Sequence, residues 1–114
     1  MTSAKRVLIV DDNEANLLTL CAVLEEEGYE VVEATTYAQA EELLWSSHFD
    51  VVLLDRGLGQ RDGAALAPLA KTRNGAALVC VLSGHVTEEP LPGVDAQLRK
   101  GDPVEGLLRR LDGV

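Results

Sequence analysis

Short apolar runs punctuate this chain, and between them the apolar positions switch to helical spacing. Val51-Val52-Leu53-Leu54 has no polar position and two β-branched residues, as in a strand covered on both faces. It stops abruptly on Asp55, and Arg56-Gly57-Leu58-Gly59 turns the chain away. Val7-Leu8-Ile9-Val10 is a similar run that ends on Asp11-Asp12. Further strands are predicted over 29–34, 78–82 and around 96–99. Over 14–27, Leu17, Leu20, Cys21 and Leu24 fall at spacings of three, four and seven, one face of a helix that Gly28 ends. Thr35 or Thr36 can cap a second helix with Ala40, Leu43, Leu44 and Ser47 inward. A third helix is predicted over 63–73, kinked or starting late at Pro68, followed by an Asn74-Gly75 turn. Asp102 and Pro103 open a last helix with Val104, Leu107, Leu108 and Leu111 on one face.

Strand and helix alternate from end to end, which predicts one α/β domain over 1–114 with a doubly wound parallel sheet. Five strands with helices on both faces suit the flavodoxin-like order 2-1-3-4-5. Strands 1 and 3 are then neighbours, so Asp11, Asp12 and Asp55 converge at the switch point where open α/β sheets bind ligands. The fourth helix is the exception. Residues 84–99 are too few for a helix of about three turns, two loops and a strand of about five residues. Pro90, Pro92 and Gly93 also interrupt the segment. A fourth helix of one turn around 86–89, or none, is expected.

Composition narrows the function classes. A formal net charge of −9 argues against a nucleic-acid surface, which needs clustered Lys and Arg. No apolar run approaches the roughly 20 residues of a membrane helix, and the start resembles no signal peptide, so a cytoplasmic protein is expected. Cys21 and Cys80 are far apart inside apolar stretches and read as buried reduced thiols rather than a disulfide. His48 and His85 have no metal-ligand spacing.

Three carboxylates at one rim repel, by about 4 kcal/mol per pair at about 4 Å with an effective dielectric near 20. They call for a divalent cation, and an all-oxygen set favours Mg²⁺ over zinc. Asp11 or Asp12 as a mere cap is the plainer alternative. The fourth strand ends in Ser83 and the fifth in Lys100, adding a hydroxyl and an ammonium to the rim. Acids for metal, a lysine to offset charge and a hydroxyl donor fit phosphoryl chemistry, with Asp55 as nucleophile.

This set, together with Asp62-Gly63, resembles the receiver domain of two-component response regulators. The resemblance implies that Asp55 is the phosphoacceptor. It implies that Asp12 binds Mg²⁺ directly, Asp11 partly through water, and Gly57 through its backbone carbonyl. Lys100 and Ser83 would bind phosphoryl oxygens. The phosphodonor would be a phosphohistidine of a histidine kinase or a histidine phosphotransfer protein. The chain would act as a free-standing regulator or phosphorelay shuttle, or as a module of a larger protein. It would catalyse only its own phosphorylation and dephosphorylation, and a monomer is expected. A weak stripe of Ala15, Leu18 and Ala22, about 130° around the first helix from its apolar face, is covered by a neighbouring helix or docks the partner.

Four positions depart from the family pattern. Arg56 replaces an apolar residue, Gly59 and Gly101 replace prolines, and Gln97 replaces an aromatic conformational switch. These departures bear on output more than on chemistry. Two other readings stand beside this one: a receiver-like interaction module that is not phosphorylated, and a small nucleotide-binding domain built on Gly57-x-Gly59-x-x-x-Gly63. In the latter, Asp55 and Asp62 would repel a pyrophosphate.

Overall fold

In the computed structural model, which describes residues 5–84, 87–88, 90–100, 106 and 109, five strands lie parallel in the order 2-1-3-4-5. They are β1 (Arg6–Val10), β2 (Glu30–Ala34), β3 (Val51–Asp55), β4 (Leu78–Ser83) and β5 (Ala96–Arg99). The apolar runs have no polar alternation because the sheet is buried on both sides. Leu8 and Val10 of β1, Val52 and Leu54 of β3, and Val79 and Val81 of β4 join one core. Val7, Ile9, Val51, Leu53 and Cys80 point the opposite way into a second. That division is the period of two of a strand.

Helix α1 (Glu14–Glu26) covers the second core with Leu17 and Leu24 buried. Asn13 caps its start, its side chain accepting from the Asn16 N–H. Its end is closed by Gly28 at φ +96°, with the Gly28 and Tyr29 N–H groups donating back to Glu25 and Leu24. Cys21 corrects the expectation of two buried thiols. It lies at the margin of the stripe, partly exposed, and hydrogen-bonds Glu25 Oε1 at 3.0 Å. Burial, followed by the Glu25 and Glu33 carboxylates, pushes its pKa up to about 12. Both cysteines are free thiols.

The first core is covered by α2 (Tyr37–Ser46) and α3 (Ala67–Arg73). Thr36 is the α2 cap. The late start at Pro68 is realised as a 3₁₀ turn, Gly63–Leu66, that leads into α3 with the proline in its first turn. No residue described between β4 and β5 is helical, in line with a reduced fourth helix; Val86 and Glu89 lie outside the described residues. This crossover is pinned instead. Leu91 and Val94 pack on the first core. Gly93, at φ +78°, sits so close to α3 that a Cβ would lie 2.8 Å from the Ala67 carbonyl carbon. Asp95 pairs with Lys71 at 2.6 Å and accepts from the Val79 N–H. The Gln97 amide takes both backbone groups of Thr87, at 3.1 and 3.0 Å. Gly106 and Arg109 are helical, whereas Asp102, Pro103, Val104, Leu107, Leu108 and Leu111 of the expected last helix lie outside the described residues.

Leu53 is fully buried in the central strand while Leu18 on α1 is 72% exposed. Leu53→Ala is expected to lower unfolding free energy by about 2–5 kcal/mol. Leu18→Ala should change it by no more than about 0.5 kcal/mol. Urea denaturation followed by circular dichroism measures both.

Candidate functional site

The parallel register sets the β1 and β3 ends side by side, pairing Val10 with Leu54. Asp11 and Asp12 therefore leave the sheet beside Asp55, and one carboxylate oxygen from each of the three lies within 4.8 Å of the others. Asp11 and Asp55 are 2% and 1% exposed, whereas Asp12 faces solvent.

Each acid is held by local N–H donors. Asp11 accepts from the Asn13 N–H at 2.9 Å and from the Asn16 side-chain amide at 3.3 Å. Burial raises its pKa above the usual carboxylate value; the Asn13 N–H opposes this, and Asp55 beside it adds to the rise. Asp55 Oδ1 accepts from the Gly57 N–H at 3.0 Å and pairs with Lys100 Nζ at 2.6 Å. Lys100 arrives there because β5 ends against β4, its N–H donating to the Ser83 carbonyl at 2.8 Å. Ser83 itself is buried at the end of β4. The Gly59 N–H reaches Asp12 Oδ2 at 3.3 Å.

Asp11, Asp12 and Lys100 thus gather around the Asp55 carboxylate, while Ser83 ends the adjacent strand. Gly57 stands beside Asp55 through its N–H. Ala15, Leu18 and Ala22 are all exposed on α1. Sequence reasoning missed the packing role of Gly63, where a Cβ would collide with the Asp55 carbonyl oxygen and lie 3.0 Å from its carbon. It also missed the partner of Arg56. The guanidinium grips Asp62, Nε at 3.1 and 3.2 Å from the two oxygens and Nη2 at 2.6 Å from Oδ2. The neighbouring Asp-Gly pair was visible, but nothing in its spacing connects Arg56 to it.

The donor set suits a hard divalent cation: three carboxylates, no thiol or imidazole, and an excess of negative charge at the exposed Asp12 side. The loop's arginines are engaged elsewhere, Arg56 by Asp62 and Arg61 over the Tyr37 ring, and Asp55 and Asp62 flank it, so it makes a poor pyrophosphate cradle.

A family model described as the response regulator receiver domain matches residues 7–94. Over 58 residues, 51% of the chain, there is 48% identity with the alginate biosynthesis transcriptional regulatory protein AlgB of Pseudomonas putida. The match spans only 13% of that relative's length. Among solved structures, a CheY-like response regulator receiver domain protein from Methanospirillum hungatei JF-1 superposes with a TM-score of 0.89 at 29% identity, covering 97% of this chain and 93% of the other. A response regulator from Burkholderia pseudomallei, solved with a phosphorylated aspartic acid, calcium ion and citrate, gives 0.83 at 30% identity, covering 91% and 64%.

The Arg56 hydrogen bonds hold the Asp62 carboxyl below the usual carboxylate range. A depressed folded-state value stabilises the protein above the unfolded value, near pH 4, and the contribution is lost as pH falls through the folded one. Wild type is therefore expected to lose stability on acidification below about pH 4 more steeply than Asp62→Asn. The gap at neutral pH should stay under about 1 kcal/mol, because the pair is at the surface. Urea midpoints measured across the acid limb test this.

Proposed function

This chain belongs to the response regulator receiver domain family, and on that premise we propose that it accepts a phosphoryl group on Asp55 from a phosphohistidine of a histidine kinase or histidine phosphotransfer protein. The observation that carries this reading is the meeting of Lys100 with Asp55 Oδ1 inside a cluster of three acids. A similar protein at 30% identity holds a phosphorylated aspartic acid with a divalent ion, in keeping with the same chemistry here.

The Asp55 carboxylate attacks the phosphorus, forming a P–O bond as the P–N bond of the donor breaks and its electron pair returns to the imidazole. Lys100 offsets the charge of the incoming anion and, with the Ser83 hydroxyl, hydrogen-bonds phosphoryl oxygens. Asp11, Asp12, Asp55 and the Gly57 carbonyl would hold Mg²⁺, Asp11 partly through water. When bound, the ion supplies positive charge that screens carboxylate from phosphoryl group. The residues present fit it, since three clustered carboxylates lack enough positive charge of their own. The protein catalyses only its own phosphorylation and dephosphorylation. It would act in the cytoplasm, the compartment that keeps thiols such as Cys21 and Cys80 reduced.

For output, the pinned crossover favours a monomer that passes on its phosphoryl group or presents its site and α1, with Ala15, Leu18 and Ala22, to a partner. The face that a fourth helix would help to build lacks helical backbone at the residues described between β4 and β5, which are 84, 87–88 and 90–95. Gln97, held to Thr87, supplies no aromatic switch.

With Mg²⁺ and acetyl phosphate, intact-mass analysis is expected to show one added phosphoryl group on wild type and none on Asp55→Asn. Equal labelling of the two would overturn the assignment. In sedimentation velocity, the phosphoryl mimic beryllofluoride is expected to leave the protein monomeric. A beryllofluoride-induced dimer would contradict the output reading while leaving the chemistry intact.

A further inference from the structure

The loop after Asp55 is a two-stranded ribbon, Gly57–Leu58 against Arg61–Asp62, with only two residue pairs. Gly59 and Gln60 make its turn, Gly59 at φ +62°. That conformation excludes a proline, whose φ is locked near −65° and which has no N–H. So small a ribbon, with glycine at two of its six positions, does not hold its shape unaided. Yet two of its N–H groups serve the acids: Gly57 donates to Asp55 Oδ1 and Gly59 to Asp12 Oδ2.

The ribbon is closed at its base from outside its own ladder. Arg56 forks onto Asp62 through three contacts of 2.6–3.2 Å. The same carboxylate caps the following turn by accepting from the Ala64 N–H at 2.9 Å. The Arg56 carbonyl accepts from both the Leu58 and Gly63 N–H groups, each at 3.2 Å. Leu58 is anchored in the core, and the Arg61 guanidinium stacks 3.5 Å above the Tyr37 ring.

We infer that the Arg56–Asp62 fork is a positioning element of the acidic site: by closing the ribbon it sets the loop that flanks the carboxylates before a divalent cation binds. The inference rests on the reading of Asp11, Asp12 and Asp55 as a Mg²⁺ site. An apolar residue at position 56 cannot make this closure. The loop therefore depends on an ion pair, and its order should weaken with salt.

Net charge and positioning predict different signs, which makes the proposal testable. If the two side chains acted only through their charge, Arg56→Gln would add net negative charge near the site and tighten Mg²⁺ binding, whereas Asp62→Asn would loosen it. If the fork positions the loop, both substitutions loosen it. Asparagine can still cap Ala64, so Asp62→Asn removes the fork and spares the turn. Isothermal titration of metal-free protein with MgCl₂ is expected to give a Kd raised about two- to fivefold in each single variant, and no further in the double variant. Amide exchange by NMR without metal is expected to speed up at Gly57 and Gly59 in the same variants, with β1 and β3 amides unchanged. Unchanged or tighter Mg²⁺ binding by Arg56→Gln, with normal amide exchange, overturns the inference. Wild type that binds no Mg²⁺ overturns the site reading itself.

Discussion

The rim of this sheet is governed by one electrostatic constraint: three carboxylates are crowded together, two of them almost wholly out of solvent. Ionised pairs at such spacing repel by about 4 kcal/mol at about 4 Å and an effective dielectric near 20. The fold offsets that cost with Lys100 on Asp55 and with N–H donors from Asn13, Gly57 and Gly59. Burial, with a smaller contribution from the neighbouring Asp55, still raises the pKa of Asp11. The same crowding disposes the site toward a cation and, with that cation and Lys100 together, toward an anion brought against Asp55.

Much of this was legible in the chain because the governing patterns are local. Val51–Asp55 and the other runs read as strands since a sheet covered on both faces imposes no polar alternation. Parallel order then brings Asp11, Asp12 and Asp55 together without any knowledge of side-chain contacts. Pro68 marked the late start of α3 through its missing N–H. The contacts that escaped are those with no fixed period. Arg56 meets Asp62 across a ribbon whose turn the sequence does not announce, so it read only as a misplaced charge. Gln97 read as the loss of an aromatic, although its amide matches the backbone of Thr87. Cys21 fitted the apolar stripe by spacing, yet it lies where α1 turns toward the polar Glu25.

The segment between β4 and β5 is held without a long helix among its described residues. Too short for a full helical crossover, it is fixed by a glycine pressed against α3, an ion pair from Asp95 to Lys71, and the Gln97 amide. Each tie stabilises one backbone course. The loop after Asp55 is also tied, but its ties lead toward the acids.

The central claim concerns one bond, an acyl phosphate on Asp55, and borohydride reduction locates that bond directly. An acyl phosphate is reduced to an alcohol, which converts the modified aspartate to homoserine, whereas a free carboxylate is left alone. After incubation with Mg²⁺ and a phosphodonor, reduction and peptide mapping should find homoserine at position 55 alone, and only when both reagents were present. Homoserine at Asp11, Asp12 or Asp62 in its place, or at no position despite a folded and metal-bound protein, would contradict the account.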